Sequence, residues 1–168
     1  MMNVSITELR EPLQSILQTL CALISSIGFS MIFDLKGKKL ICAALGGGIS
    51  WAIYLLLNHF ITNEIFICYL IASLLATNYS QLMARVLKAP ATVFIFPSIV
   101  PLVPGNGLYY TMRYIVAGEW DLAVSSAMET LKVAVAIAFG IVVVIVGIRV
   151  IQYFKGRKKR RALDEKNL

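Results

Sequence analysis

The sequence has few of the side chains that enzymes use for catalysis or metal binding. It contains one histidine, His59, and three cysteines that form no Cys-x-x-Cys pair. The nucleophile elbow Gly-x-Ser-x-Gly, the zinc-protease motif His-Glu-x-x-His and the phosphate-binding loop are also missing from the sequence. We therefore expect neither an enzyme nor a bound cofactor or metal, and nothing in the sequence indicates the use of ATP.

Charged residues are scarce as well. They make up 15% of the chain, against about 25% in soluble domains, while 58% of the residues are hydrophobic and the mean hydropathy is +0.77. Charge-free stretches over residues 13–33, 40–60 and 65–84 each have about the 20 residues that cross a bilayer core as a helix. The composition predicts an all-α membrane helix bundle, with a single transmembrane domain over residues 1–154 and a basic cytoplasmic tail over residues 155–168.

Proline is concentrated in one segment, since four of the five prolines lie within residues 89–107. Proline removes a backbone donor and distorts the preceding turn, so a membrane helix accepts several only where it is broken and faces a polar region. Residues 92–104 span only about 20 Å as an ideal helix, against a bilayer core of about 30 Å. We therefore predict that residues 108–116 complete this fourth span after an unwound segment within residues 101–109. A fifth span is predicted over residues 125–153.

Basic residues alternate between the loops in a way that indicates a topology. Residues 36–39 carry three lysines, the second loop has no basic residue, the third has Arg85 and Lys88, and residues 155–161 are almost all basic. Because basic loops stay in the cytoplasm, five crossings with the amino end outside satisfy every loop. A re-entrant fourth segment that does not cross puts the basic tail on the wrong side.

The proline segment is also the best candidate for a substrate site. The amino end of a half-helix presents unpaired N–H groups and a partial positive charge, while an unwound turn offers free carbonyls. Together these groups can hold a small zwitterion or anion. A kink that only fits the helix to its neighbours is the alternative. The candidate residues of the substrate path are Pro101, Pro104, Gly105, Asn106, Gly107, Tyr109 and Arg113.

Two further groups of polar residues lie within the predicted spans. Asn78, Gln81 and Arg85 are spaced to lie along the third span's helix, and polar side chains in membrane helices usually face the bundle interior or water. They are predicted to line a polar cavity, with hydrogen bonding between helices as the alternative. Glu129 and Lys132, at i and i+3, are expected to form an interfacial salt bridge. Binding of substrate charge, or of a coupling proton, is the alternative for this pair.

The proline segment resembles a known family. Residues 89–94, Ala-Pro-Ala-Thr-Val-Phe, precede the pattern Pro-x3-Pro-Leu-Val-Pro-Gly-x3-Tyr over residues 97–109, and together they are similar to the carboxy-terminal half of the threonine/serine exporter family. The upstream pattern Gly-x2-Trp-x2-Tyr over residues 48–54 and the downstream pair Glu129-Thr130 also fit that family. The resemblance extends over most of the chain.

The resemblance implies that this chain is the small subunit of a two-part exporter in the cell membrane. The expected partner is a larger membrane subunit of the same family, and the expected solute is threonine or serine, with dicarboxylates such as succinate as the alternative. A non-transporting scaffold and a homo-oligomeric channel are the competing functions. Anionic lipid headgroups are expected at the basic tail, and nucleic acid is not expected as a partner.

Overall fold

A computed structural model describes residues 2–60 and 64–164. Over these residues the chain forms six α-helices and no strand, which confirms the predicted all-α class. The helices are α1 (Met2–Ile32), α2 (Lys38–Phe60), α3 (Ile65–Val86), α4 (Thr92–Ile99), α5 (Gly105–Ala117) and α6 (Trp120–Asp164), with a 3₁₀ turn at Val100–Leu102 between α4 and α5.

The predicted membrane spans agree with the helices. Four helical segments are long and apolar enough to cross a membrane. They are Leu13–Ile32, Lys38–Phe60, Ile65–Val86 and Trp120–Phe154. The bent pair Thr92–Leu102 and Gly105–Val116, whose axes differ by 53°, makes a fifth if it counts as one span. Within residues 2–60 and 64–164 the number of spans is thus four or five, and the predicted break in the fourth is confirmed.

The segment from α4 to the break runs along the length of α3. Phe94 is fully buried in a cluster with Ala84, near the end of α3. Leu102 packs in a second cluster with Ala72, in the middle of α3, and Pro104 lines one cavity with Glu64, the residue before α3. Residues 92–104 therefore run along α3 in the opposite direction.

α5 continues the segment at an angle of 53° to its first half, and the two halves together are long and apolar enough to count as one broken span. The 3₁₀ turn and the extended residue Val103 separate the two helices. α5 packs against the first turns of α6, where Thr111 Oγ1 lies 3.0 Å from Ser126 Oγ. Gly118, with a φ of 75°, ends α5 in the left-handed conformation that favours glycine.

α6 is longer than a bilayer core requires. Its candidate span of 35 residues is about 50 Å long as a helix, against a core of about 30 Å. Its first turns pair with α5 and its middle pairs with α3, so α5 and the start of α6 form a hairpin that projects beyond the first turn of α3. At its other end the α6 backbone continues from the apolar span into the basic segment and is helical to Asp164; residues 165–168 lie outside the described residues.

Glycines set the closest helix contacts. A Cβ atom added at Gly47 of α2 meets the side chain of Ser26 in α1, and one added at Gly140 of α6 meets the side chain of Ser73 in α3. A Cβ added at Gly147, seven residues further along α6, meets nothing within 4 Å. A residue without a side chain is therefore needed at Gly47 and Gly140, where helices approach closely, whereas the position of Gly147 has room for a larger residue.

Replacing Gly140 by alanine is expected to destabilise the protein by about 1–3 kcal/mol, because the added methyl group collides with Ser73 in a packed interface. Gly147→Ala, on the same helix in open space, is the matched control and is expected to be neutral or slightly stabilising, since alanine favours helix. Thermal unfolding of the purified protein in detergent measures both. Equal midpoints for the two variants would contradict the packing described here.

Candidate substrate-binding site

The break begins with a carbonyl that its own helix cannot pair. In a continuous α-helix the carbonyl of Pro97 accepts from the N–H of residue 101, but Pro101 has no N–H. Ser26 of α1 donates to this carbonyl instead, with an Oγ to O distance of 2.9 Å. The side chain of Ser26 is fully buried. A neighbouring helix thus supplies the donor that proline lacks.

A second carbonyl at the end of α4 is paired in the same way. Ser50 of α2 donates to the carbonyl of Ser98 at 2.7 Å. Ser80 of α3 lies within hydrogen-bond distance of Ser98, with 3.1 Å between the two Oγ atoms. Ser26, Ser50, Ser80 and Ser98 are all fully buried, and we call them the serine layer. This layer joins the last turn of α4 to α1, α2 and α3.

The unwound part of the chain is shorter than predicted. The prediction placed it within residues 101–109, whereas only Val103 and Pro104 lie outside helical turns, with ψ angles of 128° and 59°. α5 begins at Gly105 and includes residues 105–109. The first N–H groups of any helix have no intrahelical acceptor, so the Gly-Asn-Gly sequence can form a first helical turn directly after Pro104.

A cavity of about 400 Å³ lies where the break meets α3 and α6, and we call it the junction cavity. It brings together two groups of residues that the sequence predicted separately. Pro104, Asn106 and Gly107 of the predicted substrate path line it together with Glu129 and Lys132 of α6. The substrate-path prediction and the coupling-pair prediction therefore fall on one site.

Other predicted path residues lie elsewhere. Tyr109 and Arg113 are exposed on α5 and do not line the junction cavity. Gly105 is exposed and has open space around its α-carbon. Pro101 lines a separate groove of about 730 Å³ beside α1.

The expected salt bridge between Glu129 and Lys132 is not formed among the residues that the structure describes. Both side chains are exposed and line the cavity. An exposed pair of this kind gains little from direct contact, because water competes for both charges. The carboxylate of Glu129 and the ammonium of Lys132 can therefore each interact with a solute in the cavity.

Sequence reasoning missed five polar residues of the junction cavity. They are Tyr54 of α2, Glu64 before α3, Tyr69 in its second turn, and Ser126 and Thr130 of α6. Tyr54 belongs to the Gly-x2-Trp-x2-Tyr pattern of the family resemblance, and Glu64 is the only charged residue between the second and third spans. Those two signals were present in the sequence, whereas Tyr69 looks like any aromatic residue of an apolar helix.

The polar residues of α3 divide between two environments. Asn78, Gln81 and Arg85 line a groove of about 370 Å³ together with Ile148 of α6, so they do face a cavity. Thr77, beside them in sequence, is fully buried and donates to the carbonyl of Ser73 at 2.7 Å. This groove lies at the opposite end of the α3–α6 interface from the junction cavity.

An aromatic row separates the junction cavity from the groove beside α1. The ring centroids of Trp51 and Tyr54 are 5.1 Å apart, and those of Tyr54 and Tyr69 are 4.5 Å apart. Trp51 lines the groove, while Tyr54 and Tyr69 line the junction cavity. Gln14 and Gln18 of α1 also line the groove, and nothing in the sequence pointed to them beyond their polarity within an apolar run.

Comparison with protein families identifies the chain. The family described as Threonine/Serine exporter, ThrE, matches residues 18–146, which include the serine layer, the break and the whole junction cavity. The chain belongs to the threonine/serine exporter family. Comparisons with curated proteins and with solved structures gave no match. Membership in this exporter family makes the chain a multi-pass membrane transport protein.

Ser26→Ala is expected to destabilise this exporter-family protein by about 1–3 kcal/mol, because it leaves the buried carbonyl of Pro97 without its donor. Ser25→Ala changes a neighbouring serine that is exposed and serves as the control. Resistance of the two variants to denaturation by increasing SDS in mixed micelles measures the difference. Loss of stability in Ser25→Ala alone would show that the serine layer does not hold the break.

Proposed function

We propose that this chain is a subunit of a secondary transporter that exports small polar amino acids, threonine and serine first, across the cytoplasmic membrane. It acts with a larger membrane subunit of the same family. The junction cavity carries this proposal, since a polar cavity of about 400 Å³ opens at the amino end of a half-helix inside an exporter-family chain. Its volume is at the small end of the range for ligand pockets, about 300–1,000 Å³, which suits a small solute.

The distribution of basic residues favours an amino acid over a dicarboxylate. Two carboxylates on one solute need convergent positive charge. Arg85 lines the groove at the far end of α3, and Arg113 is exposed on α5 away from the cavity. Lys132 is the basic residue that lines the junction cavity.

The hairpin of α5 and the start of α6 supports a partner subunit. Large apolar side chains on it are exposed, including Leu108, Met112, Val116 and Trp120, and no residue of α5 is buried. Exposed apolar surface of this kind marks a protein or membrane contact. We assign it to the larger subunit, and the basic segment after residue 154 to anionic lipid headgroups at the cytoplasmic surface.

Export is expected only when both subunits are present. Cells that lack both are loaded with a threonine dipeptide or with succinate, and efflux is measured after expression of this chain, the larger subunit, or both. Gly107→Leu is expected to reduce threonine efflux by about tenfold or more, because the side chain enters the space beside Thr130. Gly105→Ala, two residues away in open space, is expected to retain it.

The other functions predict different results in that assay. Efflux by the larger subunit alone at the full rate identifies this chain as a scaffold, and efflux by this chain alone identifies a homo-oligomeric channel. Succinate efflux that requires this chain, together with threonine efflux that does not require it, identifies a dicarboxylate exporter. Each of these results would reject the proposed function.

The proposed topology has the amino end outside and the basic segment in the cytoplasm. Single cysteines at Lys36, in the loop after α1, and at Glu119, in the turn before α6, report opposite sides in a chain whose native cysteines are replaced. A membrane-impermeant maleimide added to whole cells is expected to label Glu119→Cys and to label Lys36→Cys only after the cells are opened. Labelling of both positions in whole cells contradicts the topology.

A further inference from the structure

We propose that Glu64 and Glu129 bind the ammonium group of the transported amino acid in the junction cavity, and so select zwitterions over dicarboxylates. This assignment rests on the proposed function and names the residues that recognise the substrate. It follows from the charges that the fold brings to the cavity from three separate parts of the chain.

The charged residues lining the junction cavity are two carboxylates and one ammonium. Glu64 stands directly before α3, and Glu129 and Lys132 lie one turn apart on α6. The lining therefore carries a net charge of −1 from these three side chains. An ammonium group has three N–H donors and no acceptor, so carboxylate oxygens are its best partners.

The opposite group of the substrate has its own partners. Asn106 and Gly107 are in the first turn of α5, ahead of the first helical bond, in which the N–H of Leu108 donates to the carbonyl of Pro104 at 3.2 Å. Their N–H groups have no acceptor within the helix, and both residues line the cavity, as does Lys132. A carboxylate placed there meets N–H donors, the positive end of α5 and an ammonium group.

In the proposed orientation both charges of a zwitterion are paired. Its carboxylate binds at the start of α5 and Lys132, and its ammonium binds Glu64 and Glu129. Succinate placed in the same way brings its second carboxylate against two side-chain carboxylates. Like charges at close range in a partly apolar cavity repel more strongly than in water, so succinate is disfavoured.

Transport by proteoliposomes that contain this chain and the larger subunit tests the proposal. Counterflow of labelled threonine is measured in the presence of unlabelled threonine, N-acetylthreonine or succinate. N-acetylthreonine keeps the carboxylate and the hydroxyl but lacks the ammonium group. Threonine is expected to compete, whereas N-acetylthreonine and succinate are expected not to compete at tenfold higher concentration.

Neutral variants identify the two carboxylates. Glu129→Gln and Glu64→Gln are each expected to raise the half-saturating threonine concentration by about tenfold, and Glu129→Asp, which keeps the charge, is expected to recover part of the loss. In the double variant N-acetylthreonine is expected to compete as well as threonine. Asp121→Asn, two turns before Glu129 on α6 and outside the cavity, is the matched control and is expected to behave as the unmodified chain.

Two results overturn the inference and leave the proposed function standing. One is equal competition by threonine and N-acetylthreonine in the unmodified complex. The other is an unchanged half-saturating concentration in both glutamine variants. In either case threonine is still transported. Absence of any threonine transport by the unmodified complex is a different result, because it rejects the proposed function itself.

Discussion

The hydrogen bond from Ser26 to the carbonyl of Pro97 is the interaction on which the region around the break depends. Pro101 cannot donate to this carbonyl, and an unpaired backbone group in a bilayer costs several kcal/mol. The donor must therefore come from another helix at close range. Gly47 allows α1 to approach closely enough, because a side chain at this position would occupy the space of the Ser26 hydroxyl. Proline in the 3₁₀ turn, glycine in α2 and serine in α1 are thus parts of one arrangement.

The break then determines where the polar groups meet. After the 53° bend at the break, α5 pairs with the first turns of α6. Its first turn thereby lines one cavity with Glu129 and Lys132. In a continuous helix through Pro104 the N–H groups of this turn donate to carbonyls of the same helix. None of them is then left to bind a solute.

The α3–α6 interface has a polar region at each end and a tight contact between them. The junction cavity lies at one end, the groove lined by Gln81 and Arg85 lies at the other, and Gly140 packs on Ser73 in the middle. The two regions do not form one cavity in this structure. Helices that contact through small residues can approach this closely without large side chains interlocking.

The sequence by itself determined the membrane class, the positions of the long spans and the existence of a break, because hydropathy and proline act locally on the backbone. It also indicated Asn106, Gly107, Glu129 and Lys132 as candidates. Only the tertiary structure decided that these four share a cavity with Glu64, and that Arg85 and Arg113 do not. The spacing of residues along a helix shows which of them share a face. It does not show which helix that face meets, since lipid and neighbouring helices are equally apolar and the pairing depends on the packing of small residues and buried hydroxyls.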